Sequence, residues 1–111
     1  MNWHTLNNTE QLLEIDTLSQ TSKIFIFKHS TRCSISSAAL GRIERKWKEN
    51  DSEKITPFFL DLIKFREVSQ AVAAHYGVQH ESPQLLVIEN GTCTFSETHF
   101  NITYESLMQH A

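Results

Sequence analysis

Ile24-Phe25-Ile26-Phe27-Lys28-His29-Ser30-Thr31-Arg32-Cys33-Ser34-Ile35-Ser36 is the stretch whose reading decides the fold. Its first four residues are a continuous apolar run of strong β-formers, the pattern of a strand buried on both faces. A short polar loop, His29 to Arg32, follows. From Cys33 to about residue 50 the period turns helical, with Ser36, Leu40, Ile43 and Trp47 on one stripe and Ile35 and Ala39 beside it. A buried strand, a tight loop and a helix that opens on a cysteine are thus read from one segment.

Working outward, residues 9–19 read as a first helix whose apolar stripe is Leu12, Leu13, Ile15 and Leu18, with Asn8 or Thr9 as its cap. Residues 56–62 read as a second strand, and Pro57 near its start places it at an edge or a strand end. Val68, Ala71, Val72, His75 and Tyr76 fall at helical spacing, and Gly77 is the stop signal. After Pro83, residues 84–88 form a third strand. Asn90-Gly91 is a tight-turn signal, so residues 92–97 return antiparallel. A last helix spans about residues 103–109, with Asn101 or Thr103 as cap. The predicted order is α-β-α-β-α-β-β-α, an α/β domain with a four-stranded mixed sheet flanked by helices. That is the thioredoxin-like arrangement, although other small α/β folds share the same string of elements.

The 111 residues fit one domain, 1–111, and 40% apolar content suffices for a core without disulfides or metals. A net charge of −3, with no block of Lys or Arg, argues against nucleic acid or an anionic membrane as the main partner. The N-terminus lacks the pattern of a secretory signal, and no apolar stretch approaches the roughly 20 residues of a membrane span. The expected location is therefore the cytoplasm, where the glycosylation-type triplets at Asn7, Asn90 and Asn101 serve only as turns and caps. Cys33 and Cys93 stand sixty positions apart, so a structural bridge is not expected in a reducing compartment. Two thiols and scattered histidines do not compose a zinc site. No metal is expected.

The chemistry centres on Cys33. Unpaired N–H groups and the helix dipole favour an anion at a helix start, and the thiolate is the nucleophile of disulfide exchange. His29 and Arg32 would add positive potential. Position alone leaves a second reading, in which Cys33 is a small apolar residue. Ser36 occupies the place of the second cysteine of a Cys-x-x-Cys pair. A hydroxyl cannot resolve a mixed disulfide, so any cycle here uses one thiol, whether Ser36 has a role or merely bonds nearby backbone. Most X–Pro bonds are trans. In a thioredoxin-like fold, however, a proline placed like Pro83 is cis and faces the active cysteine, leaving the Ser82 backbone free to pair with an extended client.

Three segments, residues 28–36, 79–84 and 99–103, resemble the YtxJ family of monothiol bacilliredoxins in order and spacing over nearly the whole chain. The family pattern Thr-Cys-Pro-Ile-Ser is altered here by Arg32 before the cysteine and by Ser34 in place of proline, a change that bears on redox poise. The resemblance implies an enzyme that removes a low-molecular-weight thiol, bacillithiol or an equivalent, from S-thiolated client proteins. The thiol is then a co-substrate, and no resident cofactor is implied. Cys33 is the implied acceptor, and Ser82 with Pro83 the docking element. His80 and Glu81 would lie at the rim, where His80 either assists proton transfer, or binds an acidic part of the adduct, or is a solvated loop residue. His99 shapes the loop before the last helix, and Cys93 is structural. The alternative is a binding module that recognises a partner or a thiol adduct without turnover.

Overall fold

A computed structural model describes residues 1–111. Its strands are β1 (His4–Thr5), β2 (Lys23–His29), β3 (Ile55–Asp61), β4 (Gln84–Glu89) and β5 (Thr92–Thr98). Its helices are α1 (Gln11–Leu18), α2 (Ser34–Lys46), α3 (Arg66–Tyr76) and α4 (Tyr104–Met108), with short 3-10 turns at Glu49–Glu53 and His99–Asn101. The sheet order is β1-β3-β2-β4-β5. β2 and β3 are parallel, β4 runs antiparallel to β2, and β5 runs antiparallel to β4.

The sheet has five strands where four were expected. The extra one, β1, pairs only His4 with Phe58 and Thr5 with Phe59. Two exposed polar residues carry no apolar alternation, so nothing local announces them. Their neighbours hold them: Leu6 is fully buried and its N–H donates to the Phe59 carbonyl at 2.9 Å. The Trp3 ring meets Phe25, Phe27 and Phe59 at centroid distances of 5.5, 6.2 and 5.6 Å. Because β1 reaches only Phe58 and Phe59, Pro57 lies just outside that pairing, where a missing N–H costs no ladder bond.

Alternation along β2 divides the core. Ile24 and Ile26 face α1 and α3 with Leu12, Ile15, Val68 and Val72. Phe25 and Phe27 face α2 and α4 with Ala39, Ile43, Ile102 and Leu107. The first helix is shorter than predicted and buries only Leu12 and Ile15; Leu13 and Leu18 are 68% and 48% exposed. Spacing on so short a helix does not separate its buried stripe from the next one. Asn8 does serve its start, its Oδ1 accepting the Gln11 N–H at 3.0 Å. The second helix ends at Lys46 rather than near residue 50, and a 3-10 turn built on buried Asp51 takes over. Asn90 and Gly91 have φ of 52° and 73°, the left-handed pair that a two-residue hairpin turn requires. Gly77 ends α3 at φ 66°, and Thr103 caps α4 by accepting the Ser106 N–H at 3.0 Å.

Candidate active site

β2 and β3 both end, and β4 begins, at one edge of the sheet, so the loops after His29, after Asp61 and before Gln84 converge there. Cys33 is the N-cap of α2 in extended conformation, φ −117° and ψ 118°. Its N–H donates to the Ser30 carbonyl at 3.2 Å, and its carbonyl accepts the Ser37 N–H at 3.1 Å, so the backbone at the cysteine is tied on both sides. The side chain is half-buried and unbridged. No acidic residue occupies the first turn of α2, and Arg45 and Lys46 occupy its last. The positive end of the helix is therefore not offset by a local carboxylate. Arg32 and Ser34 flank the thiol and are exposed.

Ser36 is fully buried. Its Oγ accepts the Ser30 N–H at 3.0 Å and lies 2.7 Å from His29 Nδ1. The direction of the Oγ–Nδ1 hydrogen bond follows the tautomer of the ring, since the serine oxygen can accept a second proton or donate its own. This staple fixes the loop that carries the thiol. His29 does not supply the positive charge expected of it. Burial pushes its pKa below the ordinary 6.5, against the opposing pull of Asp61 and Glu44, so the ring is neutral at pH 7.

The antiparallel register pairs Lys28 with Gln84, which sets Pro83 level with His29 at the same sheet edge. The Ser82–Pro83 bond is cis, as the fold led us to expect, and Pro83 is buried. The Ser82 hydroxyl is buried without a partner in the chain. The Pro83 carbonyl accepts the His99 N–H at 3.2 Å, and His99 takes a left-handed φ of 52° to reach it. Arg42 secures that segment, donating from Nε to the Ile102 carbonyl at 2.9 Å and from a terminal nitrogen to the His99 carbonyl at 3.2 Å. His99 thus braces Pro83 as well as shaping its own loop. Arg42 was not legible in the sequence, since its contacts lie 60 and 57 positions away.

His80, three residues ahead of Pro83, is an exposed loop residue whose Nδ1 is nonetheless engaged. Its Nδ1 is 3.2 Å from the ammonium of Lys28, whose side chain is fully buried, and 3.3 Å from the Ser69 hydroxyl. Burial, then the Lys28 charge, lowers its pKa, and Glu81 acts in the opposite sense. Cys93 lies far from all of this. It pairs with Ile88, which pairs with Ile24. Ile24 is five residues from His29, so Cys93 sits about 17 Å along the strands from the Cys33 edge. It is half-buried against the other core face, and burial raises its pKa.

Lowered histidine pKa values predict how stability varies with pH. His29 and His80 bind protons less readily when folded, so the unfolded chain takes up more protons once the pH falls below about 6.5. Stability should hold from about pH 6.5 to 7.5, decline below that range and level off beneath the folded pKa values. Urea midpoints at pH 7.5 and 5.5 test this: His29→Asn should show a smaller difference than the wild type, and an equal or larger difference would refute the assignment.

Comparison with known proteins agrees with this geometry. A candidate oxidoreductase with a thioredoxin fold is 28% identical, with a TM-score of 0.81 over 95% of this chain and 89% of that one. Thioredoxins of Malassezia sympodialis and Fasciola hepatica superpose with TM-scores of 0.76 and 0.71 at 12% and 14% identity. The first match covers 98% of this chain and 87% of its own, the second 96% and 94%. The molecule is a thioredoxin-fold protein with a single cysteine at the sheet edge where these loops converge. Residues 4–107 match the model of the monothiol bacilliredoxin BrxC, and the chain belongs to that family.

Proposed function

We propose that this protein is a monothiol thiol–disulfide oxidoreductase that takes a small thiol of the bacillithiol type from S-thiolated client proteins. What carries the reading is Cys33 itself: a half-buried cysteine at an uncapped helix start, in a chain of the monothiol family. The Cys33 thiolate attacks the small-thiol sulfur of the client's mixed disulfide. The client–adduct S–S bond breaks, a Cys33–adduct S–S bond forms, and the client sulfur leaves as a thiolate that is then protonated. A second molecule of small thiol, as reductant, releases the symmetric small disulfide and restores Cys33. Such a cycle suits a reducing compartment, the cytoplasm. Ser82 and Pro83 at the facing loop are the backbone that a client would meet.

Incubation with a model protein carrying a mixed disulfide to a small thiol tests this. Intact mass should show one adduct gained by this chain and one lost by the client. A stable complex with the adduct still on the client would indicate a binding module instead.

Ser36→Ala should leave that transfer in place, because the hydroxyl is held by His29 and Ser30 and takes no part in resolution. It should lower stability by about 1–3 kcal/mol, since it strands a buried N–H and a ring nitrogen. Complete loss of transfer in a folded variant, by circular dichroism, would contradict this.

A further inference from the structure

Lys28 is the anomaly of the molecule. It stands in an apolar strand, on the face of Ile24 and Ile26, with its side chain fully buried. A buried ammonium ordinarily carries a carboxylate partner. This one has none among the ion pairs of the chain, which join Lys46 to Glu105 and His75 to Asp16. Its Nζ donates to the Ser69 carbonyl at 3.1 Å and contacts His80 Nδ1 at 3.2 Å, which leaves one of its three protons without an assigned acceptor.

The two residues that Lys28 contacts, Ser69 and His80, also line a cavity of about 150 Å³ together with Leu62, Arg66 and Gln70. Because Lys28 occupies Nδ1, the neutral His80 ring presents its Nε2–H as a donor. Arg66 adds a guanidinium, Ser69 a hydroxyl and Gln70 an amide. Donors therefore dominate this wall. The nearest acidic influence on His80 is Glu81. Burial lowers the Lys28 pKa to about 8, so the ammonium is still charged at pH 7. The Leu62 N–H donates to the His29 carbonyl at 3.0 Å, which fixes the cavity at the same sheet edge as Cys33, between α3 and the loop leading to Pro83.

We propose that this cavity binds a carboxylate of the small thiol, with Arg66 and the His80 Nε2–H as direct donors and Lys28 as the buried charge behind them. The inference rests on the transfer reaction proposed above and assigns its selectivity: adducts with an acidic group are preferred over neutral ones of similar size.

Two measurements test it. In the first, one client cysteine is capped with mercaptosuccinate or with 2-mercaptoethanol, and the ratio of the two transfer rates is measured for the wild type, Lys28→Met and Arg66→Gln. Dividing the variant ratio by the wild-type ratio cancels the intrinsic difference between the leaving thiols. The acidic preference should fall about tenfold in Arg66→Gln, the loss of one hydrogen bond to a charged group, and should fall in Lys28→Met as the charge behind the donors is removed. Arg66 is exposed, so its variant decides the matter should Lys28→Met fail to fold. An unchanged ratio in Arg66→Gln overturns the proposal. In the second, succinate is titrated into the full chain while the His80 ring signals are followed by NMR. Saturable shifts in the wild type that vanish in Arg66→Gln support the site even if no thiol is transferred, which would be a failure of the enzymatic reading alone. No shift at His80 overturns the site.

Discussion

Cys33→Ala should reduce transfer of a small thiol from an S-thiolated client to the uncatalysed background, whereas Cys93→Ala should retain the wild-type rate within about twofold. Exchange requires a thiolate whose charge is stabilised, and only one of the two cysteines, both half-buried, stands at a helix start. Cys33 heads an α2 whose first turn carries no acid and whose backbone is tied to Ser30 and Ser37. Cys93 is half-buried in β5, where burial raises its pKa and its Sγ already contacts the Phe95 carbonyl at 3.4 Å. Nor can Cys93 act as a resolving thiol. A disulfide needs Cα atoms within about 7 Å, and the strand register holds the two residues near opposite ends of the sheet. Initial rates of adduct loss from the client, for the wild type and both variants, check this. Equal impairment in the two variants would contradict it.

Phe25→Ala should lower stability by about 3–5 kcal/mol, a large part of what a domain of this size possesses. Phe25 is fully buried at the centre of β2, opposite Pro57 on one side and Val87 on the other. Its ring meets Trp3 edge-on at 5.5 Å and Trp47 at 5.8 Å. Truncation would open a cavity beneath α2 and remove the surface on which Trp3 anchors β1. Both tryptophans of the chain adjoin this ring, so their fluorescence reports the loss directly during urea unfolding. A shift smaller than about 1 kcal/mol would mean that the core repacks around the site more readily than its aromatic contacts imply.

Those two residues also mark what the sequence discloses. The apolar run at β2, the loop and the helix opening on Cys33 are local patterns, and Pro83 stands out by its position before an apolar strand. Elements whose stability comes from distant partners are not legible in this way. β1 is two polar residues held by Trp3 and Leu6 against side chains more than fifty positions away. Lys28 reads as the polar end of a strand until Ser69 and His80, 41 and 52 positions on, close over it. His29 shows the same limit in charge: beside a cysteine it reads as a source of positive potential, and only its burial against Ser36 reveals a neutral ring. Leu13 and Leu18 err in the other direction, since helical spacing marks a stripe but not whether a partner covers it.

The central claim is that one thiol, Cys33, does the chemistry without a second. Tandem mass spectrometry of the protein trapped during reaction with an S-thiolated client tests it most directly. The account predicts a single small-thiol adduct on Cys33 with Cys93 free; an adduct mainly on Cys93, or a stable Cys33–Cys93 bridge as the product, would contradict it.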